Sequence, residues 1–538
     1  MNRNRNFGNA LELRANPMSV STLIASCFIF ATIFILNFPT SPFFTTAQRD
    51  SGVYLYGGWA ILHHLVPYKD FWDHKPPLIF YFDSFGLWWG GQLGVWVSET
   101  LLFAVGVICL YRAMRIKVGR IGAWSSVLFL VLLRNNPHFY QDSNLTESLT
   151  LSLNLMGLSF LLLEPDNRIF LFLIGILEGA VFFTKYNCIS LIVAIFIFSL
   201  LFWIIEKNND HLKRLFYVFC GFALVIFGFF FLFLSQNNLS YFMDETLFYN
   251  RLYASFGPEL AGSPDHFQVF WMATLIGIVP MIFSVFLLFW WIWDSKFEFV
   301  VTNKIFFTVL FILLPVELFL VILPGRCCGH YFLENFACLS VAFGFVVQAV
   351  FERVGSGRVP WLVRLLLLFL AWGIIASNPL EIPKKCFQTI NCRLCDMPPI
   401  TVLLKAYPPS LPLYVWGAQT RLNFLTQRLS PSRYTYFYPL MMPGYGPEKR
   451  CEELLNDLEK HPDTLILDAA GKNNQLGDYS ALGFFGLPDE KTADIPAEEL
   501  KKIKDYVDLN YRPVKSFPGW GGGVLWVSKK ELLTGINF

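Results

Sequence analysis

The sequence predicts a polytopic α-helical membrane protein with an α/β domain after its last span. Three observations carry that expectation. Hydrophobic residues make up 54% of the 538-residue chain and charged residues 15%, well under the roughly 25% charge of a soluble globular chain. Apolar runs of spanning length recur as far as Ala376. Beyond Ser377 the composition turns abruptly Pro-, Lys- and Asp-rich.

The first span follows from its flanks. Arg3, Arg5 and Arg14 precede an apolar run from Ser21 to Phe38, long enough for a ~30 Å hydrocarbon core at ~1.5 Å per residue. A cleaved signal would be shorter and end in small residues; Asn37-Phe38-Pro39-Thr40 stands there instead. The helix is therefore expected to be retained, with its N-terminus cytoplasmic. Candidate spans are 20–38, 93–114, 120–134, 147–163, 168–185, 187–206, 213–235, 268–293, 304–323, 331–350 and 361–376, about eleven in all. Lys and Arg concentrate in alternate loops, at Arg112, Arg115, Lys117 and Arg120, at Lys207, Lys213 and Arg214, and at Arg353, Arg358 and Arg364. The positive-inside bias places these loops in the cytoplasm and everything after Ser377 outside. The 57 phenylalanines and 16 tryptophans suit lipid-facing helices and interfacial belts. Net charge is only +2 and no basic stripe is interleaved with aromatics, so nucleic acid is not an expected partner.

Two units are expected: a membrane module over 1–376 and an exterior α/β domain over 377–538. Three exterior segments exceed simple connectors: 39–91, 236–267 and the tail. In the second, Asp244-Glu245 reads as a solvated loop face, and the same loop is a candidate gate for acceptor entry. In the tail, Leu413–Trp416, Thr464–Leu467 and Gly523–Val527 read as strands, and Glu448–Lys460 and Ala497–Leu509 as helices. That alternation is the basis of the α/β expectation. Cys27, Cys109, Cys188, Cys220 and Cys338 fall in spans as small apolar residues. Cys386, Cys392, Cys395 and Cys451 fall in the tail, where an oxidising exterior favours a disulfide of unspecified pairing. Glu178, Glu317 and Glu334 lie in spans, where the cost of a central charge turns them toward the bundle or an aqueous cavity. Glu334, one turn beyond His330, is a candidate neighbour of the site.

The first exterior loop concentrates the chemistry: Asp50, then Tyr54, Trp59 and Leu62 at amphipathic spacing, then Pro67-Tyr-Lys-Asp70-Phe-Trp-Asp73-His74-Lys75-Pro76-Pro77. The amphipathic spacing predicts a helix lying in the membrane interface. Asp50 at its start suits a general base for an acceptor hydroxyl; an ordinary N-capping aspartate has the same pattern. Lys75, on a backbone stiffened by two prolines, offers a fixed cation for a lipid phosphate; an interfacial lysine snorkelling from a helix start reads identically.

Taken together, the Asp50 block, Pro-Tyr-x-Asp and Trp-Asp-x-Lys-Pro-Pro resemble the first-loop signature of the GT-C glycosyltransferases. The nearest branch is bacterial and family 39-like, with aminoarabinose transferases and protein O-mannosyltransferase relatives. Gln141-Asp142-Ser-Asn-Leu-Thr-Glu147, Phe183-Thr-Lys185-Tyr, Arg326-Cys-Cys-Gly-His330-Tyr331, Tyr414-Val-Trp-Gly417 and Ser430-Pro-Ser-Arg433-Tyr434 extend the resemblance. It implies a GT-C fold and an inverting transfer of a hexosyl or pentosyl group. The donor would be a polyprenyl-phosphate sugar, and the acceptor a glycan, lipid or protein of the envelope. Asp50 would activate the acceptor and Lys75 would bind the phosphate, helped by Arg326, His330 and Tyr331. Asp73 and Glu147 would hold the sugar or orient Lys75, and His74, Asp142 and Lys185 complete the substrate-binding set. Many relatives carry Asp-Glu where this chain has Asp50-Ser51. A single carboxylate weakens a metal site, since a hard cation recruits several oxygens, and neither metal nor cofactor is expected. The resemblance implies a multi-pass protein of the bacterial inner membrane. The rival class is a transporter or flippase for lipid-linked sugars, which usually shows paired repeats with interrupted helices; no such repeat is visible.

Overall fold

A computed structural model describes residues 20–136, 139–140, 143–255, 304–323, 329–354, 399–469, 497–517 and 523–530. The predicted spans 268–293 and 361–376 lie outside these residues, as do Asp142, Arg326 and every tail cysteine but Cys451. The bundle comprises α1 (Val20–Asn37), α2 (Arg49–Leu62), α3 (Leu78–Lys117), α4 (Arg120–Arg134), α5 (Thr146–Leu163), α6 (Arg168–Phe182), α7 (Ser190–Glu206) and α8 (Asp210–Ser235). A short α9 (Leu239–Met243), a π turn (Asp244–Phe248) and α10 (Tyr249–Ser255) run on from one another. Then follow α11 (Lys304–Ile322), a 3-10 turn (Gly329–Leu333) and α12 (Asn335–Val354). Among the described residues, four helices are long and apolar enough to cross a membrane: Val20–Thr40 with its terminal turn, α3, α5 and α8. Shorter apolar helices occupy Ser190–Glu206, Thr308–Val321 and Asn335–Gln348.

Helix α3 is two helices joined at Gly90–Gly91, where Gly91 takes φ +60°, a conformation open chiefly to glycine. The chain doubles back there: a Cβ on Gly86 would come within 2.6 Å of the Val95 Cα. The stretch before the break therefore packs beside the first loop, and the stretch after it fills the predicted span 93–114. Phe85, Trp88 and Trp89 are exposed at this corner, as amphipathic rings at a membrane interface are.

The predicted interfacial helix exists as α2, but it is not a surface helix. Tyr54, Leu55, Tyr56, Trp59 and Ala60 are all buried. Small residues make this possible. Gly57 lies against Phe80 and Phe71, Gly58 against Asp83, and Gly52 against Arg421 of the tail. The apolar periodicity was legible; the second cover, supplied by distant sequence, was not.

A buried polar knot fixes one end of the bundle. Arg134 is fully buried, with Nη1 donating to Asn37 Oδ1 at 2.8 Å and Nη2 donating to Ser148 Oγ at 3.0 Å and to Glu99 at 3.4 Å. Its guanidinium stacks 4.2 Å from the Phe103 ring and 4.0 Å from the Tyr140 ring. A buried charge persists only when paired and hydrogen-bonded, and here the partners come from α1, α3 and α5. Elsewhere in the bundle, Glu178, Glu317 and Glu334 face inward as expected. Glu178 accepts from the Ile192 amide, Glu317 from Ser190, and Glu334 from Thr150 and Asn154. Glu334 thus sits beneath the site on bundle partners.

The tail carries α13 (Pro399–Leu404), β1 (Leu413–Trp416), α14 (Arg421–Thr426), α15 (Tyr438–Met441), α16 (Pro447–Lys460), β2 (Leu465–Asp468), α17 (Ala497–Asn510), β3 (Tyr511–Phe517) and β4 (Gly523–Ser528). The sheet order is β1-β2-β4-β3, with β1 and β2 parallel and the other pairs antiparallel. All four residues of β1 and of β2 are buried, as in a sheet covered on both faces. Strand β3 escapes the sequence pattern because Pro513 interrupts it. It lies at the sheet edge with a register shift beside that proline, the place a donor-less residue is tolerated. Cys451 is a free thiol, buried, with Sγ 3.6 Å from the Leu440 carbonyl. The disulfide expectation therefore fails for this cysteine, which packs as a small apolar residue. Trp72 of the first loop and Tyr249 of α10 belong to the tail's own core, packed with Tyr414, Trp416, Tyr434 and Tyr436.

Candidate active site

Most of the residues singled out by sequence converge where the first loop, the start of α5, the turn after α6 and the 3-10 turn meet. Asp50 occupies the first turn of α2 and is exposed. It is not the cap. Gln48 caps the helix, and Ser51 completes a capping box by accepting from the Gln48 amide at 3.0 Å. That frees the Asp50 carboxylate, which makes no hydrogen bond or ion pair among the described residues. It also gives Ser51, the departure from the Asp-Glu pattern, a structural job.

Lys75 is half-buried, and its backbone is held from both sides. Asp73 Oδ1 accepts from the Lys75 amide at 2.7 Å, and the Tyr68 hydroxyl donates to the Lys75 carbonyl at 2.9 Å. Asp73 thus holds the Lys75 backbone, the contact that an orienting role would use. Tyr68 is fully buried at φ +67°. A bulky residue there stores about 1–3 kcal/mol of strain, held by its surroundings. The Lys75 ammonium itself engages no partner by hydrogen bond or ion pair among the described residues. Asp73 Oδ2 accepts from the Tyr436 hydroxyl at 3.1 Å. Burial raises the Asp73 carboxyl to about 6, against the opposing pull of the Lys75 amide, the Lys75 charge and the Tyr436 hydroxyl. His74 is half-buried, 3.4 Å from the Tyr436 oxygen, among the rings of Trp72, Tyr249 and Tyr253.

Behind this loop lies a second charged group. Glu147, in the first turn of α5, forms a buried ion pair with Lys185, and His330 Nε2 lies 3.7 Å from the same carboxylate. The Lys185 ammonium also sits 3.7 Å from the centroid of the Tyr331 ring, a cation–π contact. Burial lowers the His330 imidazole below its usual value, against the pull of Glu147. Tyr54 stands between the two groups: burial first, then the charges of Asp50, Glu147 and Asp73, raises its phenol well above the ordinary range. The loop before Glu147 is fixed by the Asn144 amide donating to Glu99 at 2.8 Å and by the Asn144 side chain donating to Asp83 at 2.6 Å.

Four further residues have no assigned role in the sequence reading. Glu245, read there as solvated, is fully buried: one oxygen accepts from the Asp73 amide at 3.0 Å and the other pairs with Arg433. Asp244, beside it, accepts from the Tyr445 hydroxyl at 2.7 Å and from Arg450 at 2.9 Å. The reason is helical register. Phe242, Glu245, Thr246 and Tyr249 share a buried face at three- and four-residue spacing, a signal present in the sequence. Arg433 and Tyr436 come from the tail and stand next to the first loop only in three dimensions.

A family model described as dolichyl-phosphate-mannose-protein mannosyltransferase matches residues 74–232. Among curated proteins, none matches the sequence. The fold is similar to that of ArnT from Cupriavidus metallidurans bound to undecaprenyl phosphate, at 14% identity and a TM-score of 0.51, over 93% of this chain and 97% of that one. It is also similar to the apo oligosaccharyltransferase of Archaeoglobus fulgidus, at 11% identity and a TM-score of 0.51, over 96% of this chain and 81% of that one. At such identities the likeness is one of fold. The matched segment is similar to that mannosyltransferase family, and four helices among the described residues are long and apolar enough to cross a membrane.

Proposed function

We propose that the chain is an inverting glycosyltransferase that moves a sugar from a polyprenyl-phosphate donor to an envelope acceptor at the exterior face of the bacterial inner membrane. One observation supports this above the others. The carboxylate of Asp50 and the ammonium of Lys75, neither tied up among the described residues, each lie within electrostatic reach of both Asp73 and His330. That neighbourhood supports a carboxylate acting as base and an ammonium binding phosphate in one site. Asp50 takes the proton of the acceptor hydroxyl as its oxygen attacks the anomeric carbon. The bond from that carbon to the phosphate oxygen breaks on the opposite side, and its electron pair leaves as polyprenyl phosphate. Lys75 stabilises the charge that grows on the departing phosphate. His330, Tyr331 and the Glu147–Lys185 pair form the wall behind it. The undecaprenyl phosphate of the ArnT structure is a ligand of the same chemical class as this donor.

The test is mass spectrometry of envelope glycans from cells carrying the parent chain, Asp50→Asn or Lys75→Ala. Asp50→Asn is expected to retain polyprenyl-phosphate binding and lose the sugar modification. Near-normal modification in that variant removes Asp50 from the role of base. An envelope that does not change when the whole chain is absent removes the transferase reading.

A further inference from the structure

Lys75 closes a ring of five residues. Its amide donates to Asp73 Oδ1 and its carbonyl accepts from the Tyr68 hydroxyl. The Asp73 amide donates to Glu245 Oε2, Glu245 Oε1 pairs with Arg433, and the Arg433 guanidinium donates to the Tyr68 carbonyl. Three separate stretches of chain contribute: the first loop, the π turn and the tail. Glu245 is fully buried and Arg433 largely so, 4.7 Å from the Tyr241 ring. A backbone bond, from the Trp72 amide to the Arg433 carbonyl at 2.7 Å, joins loop and tail directly. A π turn inside a helix is uncommon and often marks a functional site; this one supplies Glu245.

We propose that Glu245 and Arg433 are positioning residues for the donor phosphate, acting on Lys75 through Asp73 and Tyr68, so that the tail is a working part of the donor site. This rests on the transferase reading of Lys75. The physical reason is the length of the lysine side chain. A flexible four-carbon stem delivers a point charge to a set place only when its backbone is fixed, and both backbone polar groups of Lys75 are fixed by members of this ring. An Arg–carboxylate pair is strong and directional enough to register two segments far apart in sequence.

The experiment is a double-mutant cycle on the full-length protein in lipid nanodiscs, reading the affinity for undecaprenyl phosphate. Glu245→Gln keeps an acceptor for the Asp73 amide but removes the charge that holds Arg433. Tyr68→Phe removes only the hydroxyl on the Lys75 carbonyl and covers the case in which Glu245→Gln does not fold. Each is expected to weaken binding about tenfold in the parent, the loss of roughly one well-placed hydrogen bond. In a Lys75→Ala background each is expected to have almost no further effect, because no ammonium remains to be placed. A purely structural role predicts the same loss in both backgrounds, and that result overturns the inference. If Lys75→Ala weakens binding while Glu245→Gln and Tyr68→Phe do not, the inference fails and the transferase reading stands. If Lys75→Ala itself leaves the affinity unchanged, both fail.

Discussion

Replacing Tyr436 by Phe should shift the acid limb of donor binding by about one pH unit. The hydroxyl donates to Asp73 Oδ2 at 3.1 Å, long for a bond to a carboxylate, so the low end of the range for charged partners applies, about 1.5 kcal/mol. The Asp73 carboxyl lies at about 6 in the intact site, raised from 3.8 chiefly by burial. Losing a bond that favours the charged form raises it to about 7. At pH about 7 the ionised fraction then falls from about nine-tenths to about one-half. The ionised carboxylate is the stronger acceptor for the Lys75 amide, so donor affinity should weaken below pH about 6 in the parent and below about 7 in Tyr436→Phe. The groups around Asp73 are Lys75, Asp50, His74, Tyr436 and Glu245. His330 titrates in acid too, but the substitution does not touch its contacts, and the difference between the two profiles isolates Asp73. The assay is polyprenyl-phosphate binding from pH about 5 to about 9. Superimposable profiles would falsify the coupling of Asp73 to the donor site. Linkage gives the sign for stability. The folded value is raised by roughly two units, so the stabilising contribution is complete below the unfolded value. It is lost as pH rises through about 6, a cost of about 3 kcal/mol once the carboxylate is ionised.

Lys185→Met leaves the Glu147 carboxylate buried without its ion-pair partner, beside the His330 ring 3.7 Å away, and should destabilise the protein by about 3–5 kcal/mol. Adding Glu147→Gln should restore much of the lost thermal stability; a double variant no more stable than the single one contradicts the buried-pair account. Gly52→Ala puts a Cβ onto the Arg421 side chain and 2.8 Å from its Cα, and should cost about 1–3 kcal/mol by overpacking. Limited proteolysis should then cut the tail faster than in the parent; equal rates would show that α2 and the tail separate without penalty.

The sequence by itself determined what depends on local composition. The apolar runs that fall within the described residues, the α2 pattern, the tail strands at 413–416, 464–467 and 523–527 and the tail helices were legible, because burial at a fixed period leaves its mark within one segment. So were Asp50, Asp73, His74 and Lys75, which lie close together in one loop. Glu147, Lys185, His330 and Tyr331 were placed by resemblance, and the fold brings them to one another. What only the tertiary structure decided was the use of groups whose partners come from elsewhere in the chain. Glu245 looked solvated until Asp73 and Arg433 covered it. Arg134 had no reading until Asn37, Glu99 and Ser148 surrounded it. Asp50 could have been a cap until Gln48 and Ser51 took that role. A polar side chain looks the same in sequence whether water or a distant residue answers it. Burial removes the water, and the fold alone decides which residue replaces it.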